Sequence, residues 1–306
     1  MVNEIIMKKL LNLFFIATLF LTGCDNYNDY LTDYDYSTTY FPYQKPVRTV
    51  IAGEGLQFKM GVVLGGKREN TKTEVIKFEI DTTLLRDTPF ELLPSEYYTL
   101  SNDNEMWIQE GQFQGLIDVV MDSVKFLSDP NSLTRHYALP VRIISATTDS
   151  VLTGDELKGI APMDYMIPVI KYIHTLDAIW YHHGVDSAFN ASGDLEEVIV
   201  NSTEDLINNS TWNLSTVGAS KVISNGLSGI KNTSRLEMDM NFDDGSIDLK
   251  STSDSEIQNV ENISSRYVSD DLMVYLKYKY TVDNLTHIVT DTLTFRNKEL
   301  SLELWD

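Results

Sequence analysis

Short runs in which apolar and polar residues alternate recur along most of the chain and constrain its fold more than any other feature. Between Tyr40 and about Ile173 they include Leu56–Met60 and Val75–Leu85. A period of two residues is typical of a strand with one buried face. No repeated pairing of a strand with a long helix occurs, so a parallel α/β sheet is not expected. About seven short strands separated by turn residues predict an antiparallel β-sandwich of immunoglobulin-like size.

A second series of alternating runs follows Thr175. Arg235–Phe242 alternates strictly, and the turn Asp243–Ser246 leads back through Ile247–Leu249. Leu272–Tyr280 and His287–Phe295 form another predicted hairpin, which turns at Asp283-Asn284. Adjacent hairpins of this kind predict an antiparallel, barrel-like sheet. The fold class expected for the whole chain is therefore all-β.

The first residues have the features of an export signal. Two lysines precede the apolar run Leu10–Leu21, which is followed by Thr22-Gly23-Cys24. An apolar run of about 12 residues is too short to span a bilayer, which takes ~20 residues. The arrangement resembles the bacterial lipobox, in which Cys24 is acylated and becomes the mature N-terminus. An ordinary signal peptide that contains a cysteine is the alternative, and translation starts at either Met1 or Met7.

Cys24 is the only cysteine among the 306 residues. A single cysteine cannot form an internal disulfide, and export would otherwise leave its thiol reactive. Acylation removes that problem. We therefore expect a signal peptide over 1–23, a tether over 24–39, the sandwich over 40–173 and the barrel-like domain over 174–306. The expected location is the outer membrane, with acyl chains on Cys24 as the anchor and the domains facing the cell exterior.

The chain is strongly acidic, with a formal net charge of −21. Nucleic acids and anionic lipid surfaces are bound through basic patches, so nucleic acid is excluded as a partner. A hydrophobic fraction of 42% is sufficient for packed cores.

Several segments of the first half resemble the Bacteroidetes family called domain of unknown function 1735. They are Tyr40–Gln44, Pro46–Thr49, Phe58–Asn70 (FKMGVVLGGKREN) and Leu92–Ser101, and the resemblance covers Tyr40–Tyr172. The second half, with its ending Asp291–Asn297, is similar to a lipocalin-like C-terminal domain often paired with that family. Members are typically surface lipoproteins near polysaccharide-utilisation systems. The resemblance therefore implies contact with a polysaccharide or oligosaccharide and with a TonB-dependent porin complex.

No catalytic or metal motif is found in the sequence. Some members of the family precede a family 18 glycoside hydrolase, but the nearest match to its acidic signature, Asp29–Ser37, lacks the glutamate. An eight-stranded α/β barrel of ~250 residues also has no room in this chain. His182 and His183 are neighbours on a predicted strand and point to opposite faces, so they cannot easily chelate one zinc ion. We expect a non-catalytic protein with no cofactor and no metal site.

Sugar binding requires exposed aromatic rings beside amide, hydroxyl and carboxylate groups. Trp180 is expected in the barrel core. The candidate ligand-binding residues are Trp212 as the stacking ring, Asn208, Asn209 and Asn213 as hydrogen-bonding groups, and Trp107 at a loop edge. The sequence thus predicts a lipid-anchored, glycan-binding accessory protein of a polysaccharide-utilisation system. The alternative is a structural or adhesive surface lipoprotein that binds protein partners.

Overall fold

The computed structural model describes residues 34–231 and 233–306. The predicted signal peptide, the predicted acylation site Cys24 and the first part of the tether lie outside these ranges. Within them the chain forms β-strands, short 3-10 helices and one α-helix, α1 (Ser123–Ser128). The described residues include no helix with the length and apolar character needed to cross a bilayer. The all-β class predicted from the alternating runs is confirmed.

From residue 34 onward, the first half contains thirteen strands. They are β1 (Thr38–Tyr40), β2 (Pro46–Ala52), β3 (Gln57–Gly65), β4 (Glu74–Ile80), β5 (Glu91–Leu92), β6 (Tyr98–Leu100), β7 (Glu105–Ile108), β8 (Gln114–Met121), β9 (Tyr137–Ala138), β10 (Val141–Ala146), β11 (Ser150–Val151), β12 (Tyr165–Met166) and β13 (Val169–His174).

The second half contains twelve strands among its described residues. They are β14 (Ala178–Phe189), β15 (Leu195–Asn201), β16 (Thr211–Thr216), β17 (Lys221–Ser224), β18 (Gly226–Leu227), β19 (Ile230–Lys231), β20 (Leu236–Met240), β21 (Ile247–Ser251), β22 (Glu261–Val268), β23 (Met273–Val282), β24 (Leu285–Asn297) and β25 (Glu303–Leu304). A short 3-10 helix, Leu206–Asn208, lies between β15 and β16.

Three sheets build the first half. Their strand orders are β11-β1-β3-β8-β6, β12-β10-β4-β7 and β25-β2-β13-β9-β5. Residues from all three sheets contribute to a hydrophobic cluster that includes Met60, Phe78, Ile108 and Val119. A second cluster lies on the third sheet around Trp305. Helix α1 adds Phe126 to the first cluster, and Asp122 caps the helix by accepting hydrogen bonds from the backbone N–H groups of the second and third residues after it.

Some pairings in the first half are parallel rather than antiparallel. β2 and β13 run parallel over six residue pairs, from Val47 opposite Val169 to Ala52 opposite His174. β1 is also parallel to β11, and β5 is parallel to β9. Parallel partners require long connections, so alternation within each strand does not reveal which distant strand lies beside it.

The second half is dominated by one nine-stranded sheet. Its main path is β21-β20-β17-β16-β14-β24-β23-β22, and β15 pairs with the far end of β14. The path nearly closes, because Ser246 beside β21 bridges to Arg266 on β22. Both hairpins predicted from the sequence are present, as β20–β21 and β23–β24. Asp283 and Asn284 turn the second hairpin with φ angles of 52° and 64°, a region that Asp and Asn tolerate better than most residues.

The end of the chain returns to the first half. β25 pairs with β2, and Trp305 packs among Val47, Ile167 and Val169. The indole N–H of Trp305 donates to the Ile167 carbonyl oxygen at 2.8 Å. A division of the chain after residue 173 stays a prediction, and a fragment that ends there would lack this tryptophan.

Candidate functional site

The interior of the barrel contains a buried polar network. The Asp186 carboxylate accepts hydrogen bonds from the hydroxyl of Ser228 and, at 2.7 Å, from that of Tyr280. Its other oxygen lies 2.9 Å from Nδ1 of His287, whose ring stacks on Tyr280 with centroids 4.5 Å apart. Burial and the hydrogen bond to the carboxylate raise the pKa of Tyr280, so its hydroxyl remains the donor at neutral pH.

A second carboxylate, Asp291, continues this network. It accepts from the Tyr278 hydroxyl at 2.8 Å and lies 2.9 Å from Nε2 of His182. The strand opposite carries Gly184, where an added Cβ would lie 2.0 Å from the Asp291 Oδ1. Glycine is therefore required there for the carboxylate to fit. Because each carboxylate has several protein partners, the network stabilises the barrel interior and leaves its acids already paired.

Trp212 lies within this interior, where the sequence predicted an exposed stacking ring. The ring is fully buried and stacks on His182 at a centroid distance of 4.4 Å and an interplanar angle of 9°. The expectation of an accessible ring face is therefore not met. The reason is strand register, since Trp212 pairs with Trp180 and both rings face inward. Trp180 occupies the core as predicted.

The asparagines beside Trp212 lie outside the barrel. Asn208 and Asn213 are exposed, and Asn209 is half-buried. The Asn209 side chain accepts from the backbone N–H of Thr203 at 2.9 Å and from its hydroxyl, so it holds its own loop. The three amides therefore do not surround an accessible aromatic ring. A ligand at this loop stays a prediction.

Trp107 is exposed to half of its surface, on the edge strand β7. Its indole N–H donates to Glu105 at 2.9 Å. It is therefore an accessible ring with a neighbouring carboxylate, but it lies in the first half, away from the other candidate residues.

Two pairs of side chains in the described residues have the residue types of a reactive centre: Ser210 with His182, and His182 with His183. Neither pair has the geometry that such a centre requires. Ser210 Oγ lies 3.4 Å from Nδ1 of His182, longer than the ~2.6–3.2 Å expected of an activated nucleophile. His183 is exposed while His182 is buried, so the two point to opposite faces as predicted. Within residues 34–231 and 233–306, no group of three or more His, Cys, Asp or Glu side chains is arranged to hold a metal ion.

A cavity of about 730 Å³ opens at the mouth of the barrel, where the barrel faces the first half. Ligand pockets in proteins typically have volumes of about 300–1,000 Å³. Aromatic, acidic and hydroxyl side chains line it together: Gly53, Glu54, Thr175, Trp180, Met240, Phe242, Asp243, Asp244, Gly245, Tyr267, Ser269, Leu272, Phe295 and Lys298. We call this space the mouth cavity.

The aromatic wall of the mouth cavity is built from the barrel. Tyr267 and Phe295 pack edge-on against Trp180, with centroids 6.3 and 5.6 Å away. Phe242 is the most accessible of these rings, with 43% of its surface exposed, and its centroid lies 5.1 Å from that of the His174 ring. A Cβ at Gly53, whose φ is +95°, would lie 2.6 Å from this ring. Glycine therefore lets the first half approach Phe242 closely.

Charged groups also line the mouth cavity. Glu54 of the first half forms an ion pair with Lys298 and accepts from the Thr175 hydroxyl at 2.6 Å. Burial alone would raise the pKa of Glu54, but the hydrogen bonds from Lys298 and Thr175 outweigh it and lower the pKa. The pKa of Asp244 is also lowered, by hydrogen bonds from Ser246. Both carboxylates are therefore ionised and able to accept hydrogen bonds at neutral pH.

The mouth cavity was not found from the sequence because its residues come from distant parts of the chain. One signal was available. Leu236, Met238 and Met240 form the inward-facing row of β20, and Phe242 continues that row past the end of the strand. Because β20 ends at Met240, an inward-facing residue two positions later lies at the rim of the barrel.

Fold and site together define a class: an all-β protein with a cavity at the mouth of a nearly closed barrel. A family model that describes an N-terminal domain matches residues 32–150. A structural genomics protein of unknown function from Bacteroides ovatus is similar over 89% of this chain and 99% of that chain, with 24% identity and a TM-score of 0.71. That likeness shows a shared fold over most of this chain.

Two further solved structures are more distantly similar. A second protein of unknown function from Bacteroides ovatus has 11% identity over 89% of this chain and 100% of that chain, with a TM-score of 0.39. A two-domain protein with unknown function from Bacteroides fragilis has 10% identity over 86% and 89%, with a TM-score of 0.35. No curated protein sequence matches the chain.

Proposed function

We propose that this protein binds a glycan in the mouth cavity, without catalysis, as an accessory of a polysaccharide-utilisation system. The observation that carries the proposal is the composition of this cavity. Exposed ring surface at Phe242 lines the same cavity as the carboxylates of Glu54 and Asp244 and the hydroxyls of Thr175 and Ser269. Aromatic faces cover the apolar C–H patches of a sugar, and polar neighbours accept or donate to its hydroxyl groups.

The resemblance of the first half to domain of unknown function 1735 supports the same role. Its members are typically surface lipoproteins near polysaccharide-utilisation systems, where a TonB-dependent porin complex would be the neighbouring partner. The lipobox-like sequence that ends at Cys24 supports attachment to the outer membrane with the barrel facing outward.

Affinity electrophoresis against a panel of host and plant polysaccharides tests the binding. We expect at least one polysaccharide to retard the protein. If none does, the protein is better described by the alternative, a structural or adhesive surface lipoprotein that binds protein partners. That alternative is favoured by one observation, the exposed apolar residues on strand β15.

Replacing Cys24 tests the anchor separately. In cells fed radioactive palmitate, the wild-type chain should be labelled and the Cys24→Ala variant should not. Membrane partitioning and labelling that are unchanged in the variant would contradict the lipid anchor, while leaving glycan binding open to its own test.

A further inference from the structure

Strand β15 lies at an edge of the nine-stranded sheet. Among the described residues it pairs only with β14, and six of its seven residues are exposed. Edge strands are usually blunted by charged side chains, especially lysine, by proline, by bulges or by coverage from another element. β15, with the sequence LEEVIVN, contains neither lysine nor proline. Its two glutamates are its only charged residues, and the Asn201 side chain at its end lies beside Gly229. From Leu195 to Val200, the outer edge therefore offers backbone N–H and C=O groups to another strand.

The exposed residues at the middle of β15 are β-branched and apolar. Val198, Ile199 and Val200 are 48%, 43% and 61% exposed. Val200 lies opposite Val185 of β14, which is itself 38% exposed, and Val198 lies on the same outward face. This apolar surface continues across two strands, so a strand added at the edge would extend a face that is already apolar.

The sequence of β15 is complementary to itself in one antiparallel register. If Ile199 lies opposite Ile199 of a second copy, each Val198 lies opposite a Val200. The same register puts Glu197 opposite Asn201 and Glu196 opposite Ser202, so no two like charges of β15 face each other. Centring the pairing on Glu197 would place two glutamates opposite one another. Centring it on Val198 would pair each glutamate with an apolar residue.

From this register we infer that β15 is a dimerisation strand. Two copies of the chain would join edge to edge about a two-fold axis at Ile199, which makes one continuous sheet from two nine-stranded sheets. The net charge of −21 opposes association, so the dimer should strengthen as ionic strength rises.

A cysteine at the symmetry axis tests the arrangement. In an antiparallel pair, opposite Cα atoms lie about 4.5–5.5 Å apart, within the range that a disulfide spans. Ile199→Cys, in the full chain with Cys24→Ala, should form a covalent dimer under mild oxidation. Val185→Cys in the same background is the control, since its residue is also exposed but lies one strand inward from the axis. Equal cross-linking of the two variants, or none of Ile199→Cys, would overturn the inference.

Molar mass in solution provides an independent measurement. The Cys24→Ala chain should change from monomer to dimer as concentration increases in light scattering, and adding Val198→Lys should keep it monomeric. Both proteins retain the apolar run Leu10–Leu21, so association through that run would affect them equally. Circular dichroism checks that Val198→Lys is folded. The inference would also be overturned if the Cys24→Ala chain stayed monomeric at every protein concentration, at low and at high salt. Dimerisation of the chain that also carries Val198→Lys would overturn it too.

Discussion

Lowering the pH should destabilise the fold through His174. This side chain is fully buried at the end of β13, and burial together with the nearby Lys298 lowers its pKa from 6.5 to about 4, against a smaller opposing effect of Asp239. Its Nδ1 accepts the backbone N–H of Leu176 at 3.0 Å, so the folded state holds the ring neutral.

The sign and size of the effect follow from that difference in pKa. Above pH 6.5 the ring is neutral in both states, and its contribution to stability is complete. As the pH falls toward about 4, the unfolded chain binds a proton that the folded chain does not, and stability is lost. Each pKa unit corresponds to about 1.36 kcal/mol, so the loss by pH 4 is about 3 kcal/mol.

Urea unfolding of the wild type and of His174→Asn, followed by circular dichroism between pH 7 and pH 4, isolates this contribution. Asparagine retains an oxygen that can accept the Leu176 N–H but does not titrate. The packing defect of the variant shifts its stability equally at every pH. The carboxylates and the other titratable groups titrate alike in both proteins. We expect the wild type to lose about 3 kcal/mol more than the variant over this range. Parallel pH profiles would refute the reasoning.

Two further substitutions test the packing. Gly184→Ala should destabilise the protein by about 1–3 kcal/mol, because the new Cβ would meet the Asp291 carboxylate at 2.0 Å. Gly218→Ala is the control, because a Cβ there would lie no closer than 3.5 Å to another atom. Equal urea midpoints for the two variants would contradict the requirement for glycine at position 184. Trp305→Ala should cost about 3–5 kcal/mol by emptying a buried site. Leu302→Ala, at a residue 54% exposed, should leave the free energy of unfolding nearly unchanged. A similar loss of stability in Trp305→Ala and Leu302→Ala would show that Trp305 does not anchor the end of the chain.

The sequence was most informative where contacts are local. Both predicted hairpins of the second half form because their alternation and their turn residues specify the same structure. The burial of His182 and exposure of His183 follow from the same two-residue period.

Long-range contacts could not be predicted from these patterns. The parallel pairing of β2 with β13 and the return of β25 to β2 join residues far apart in the chain. The mouth cavity likewise combines Glu54 of the first half with Phe242 and Lys298 of the second. Trp212 shows a further reason for error. Polar neighbours in sequence suggested an exposed ring, but in a strand the adjacent residues face the opposite side.

The most direct measurement of the central claim is the affinity of the mouth cavity for a glycan. The polysaccharide that most retards the protein would be titrated calorimetrically into the wild type, Phe242→Ala and Phe113→Ala. Phe113 is a matched control, an exposed phenylalanine of the first half that does not line the cavity. Loss of a stacking ring typically costs about 1–3 kcal/mol on nucleic-acid bases, so Phe242→Ala should bind about tenfold or more weakly. Phe113→Ala should bind as the wild type does. Equal affinity in the wild type and Phe242→Ala, with both folded, would contradict binding at the mouth of the barrel.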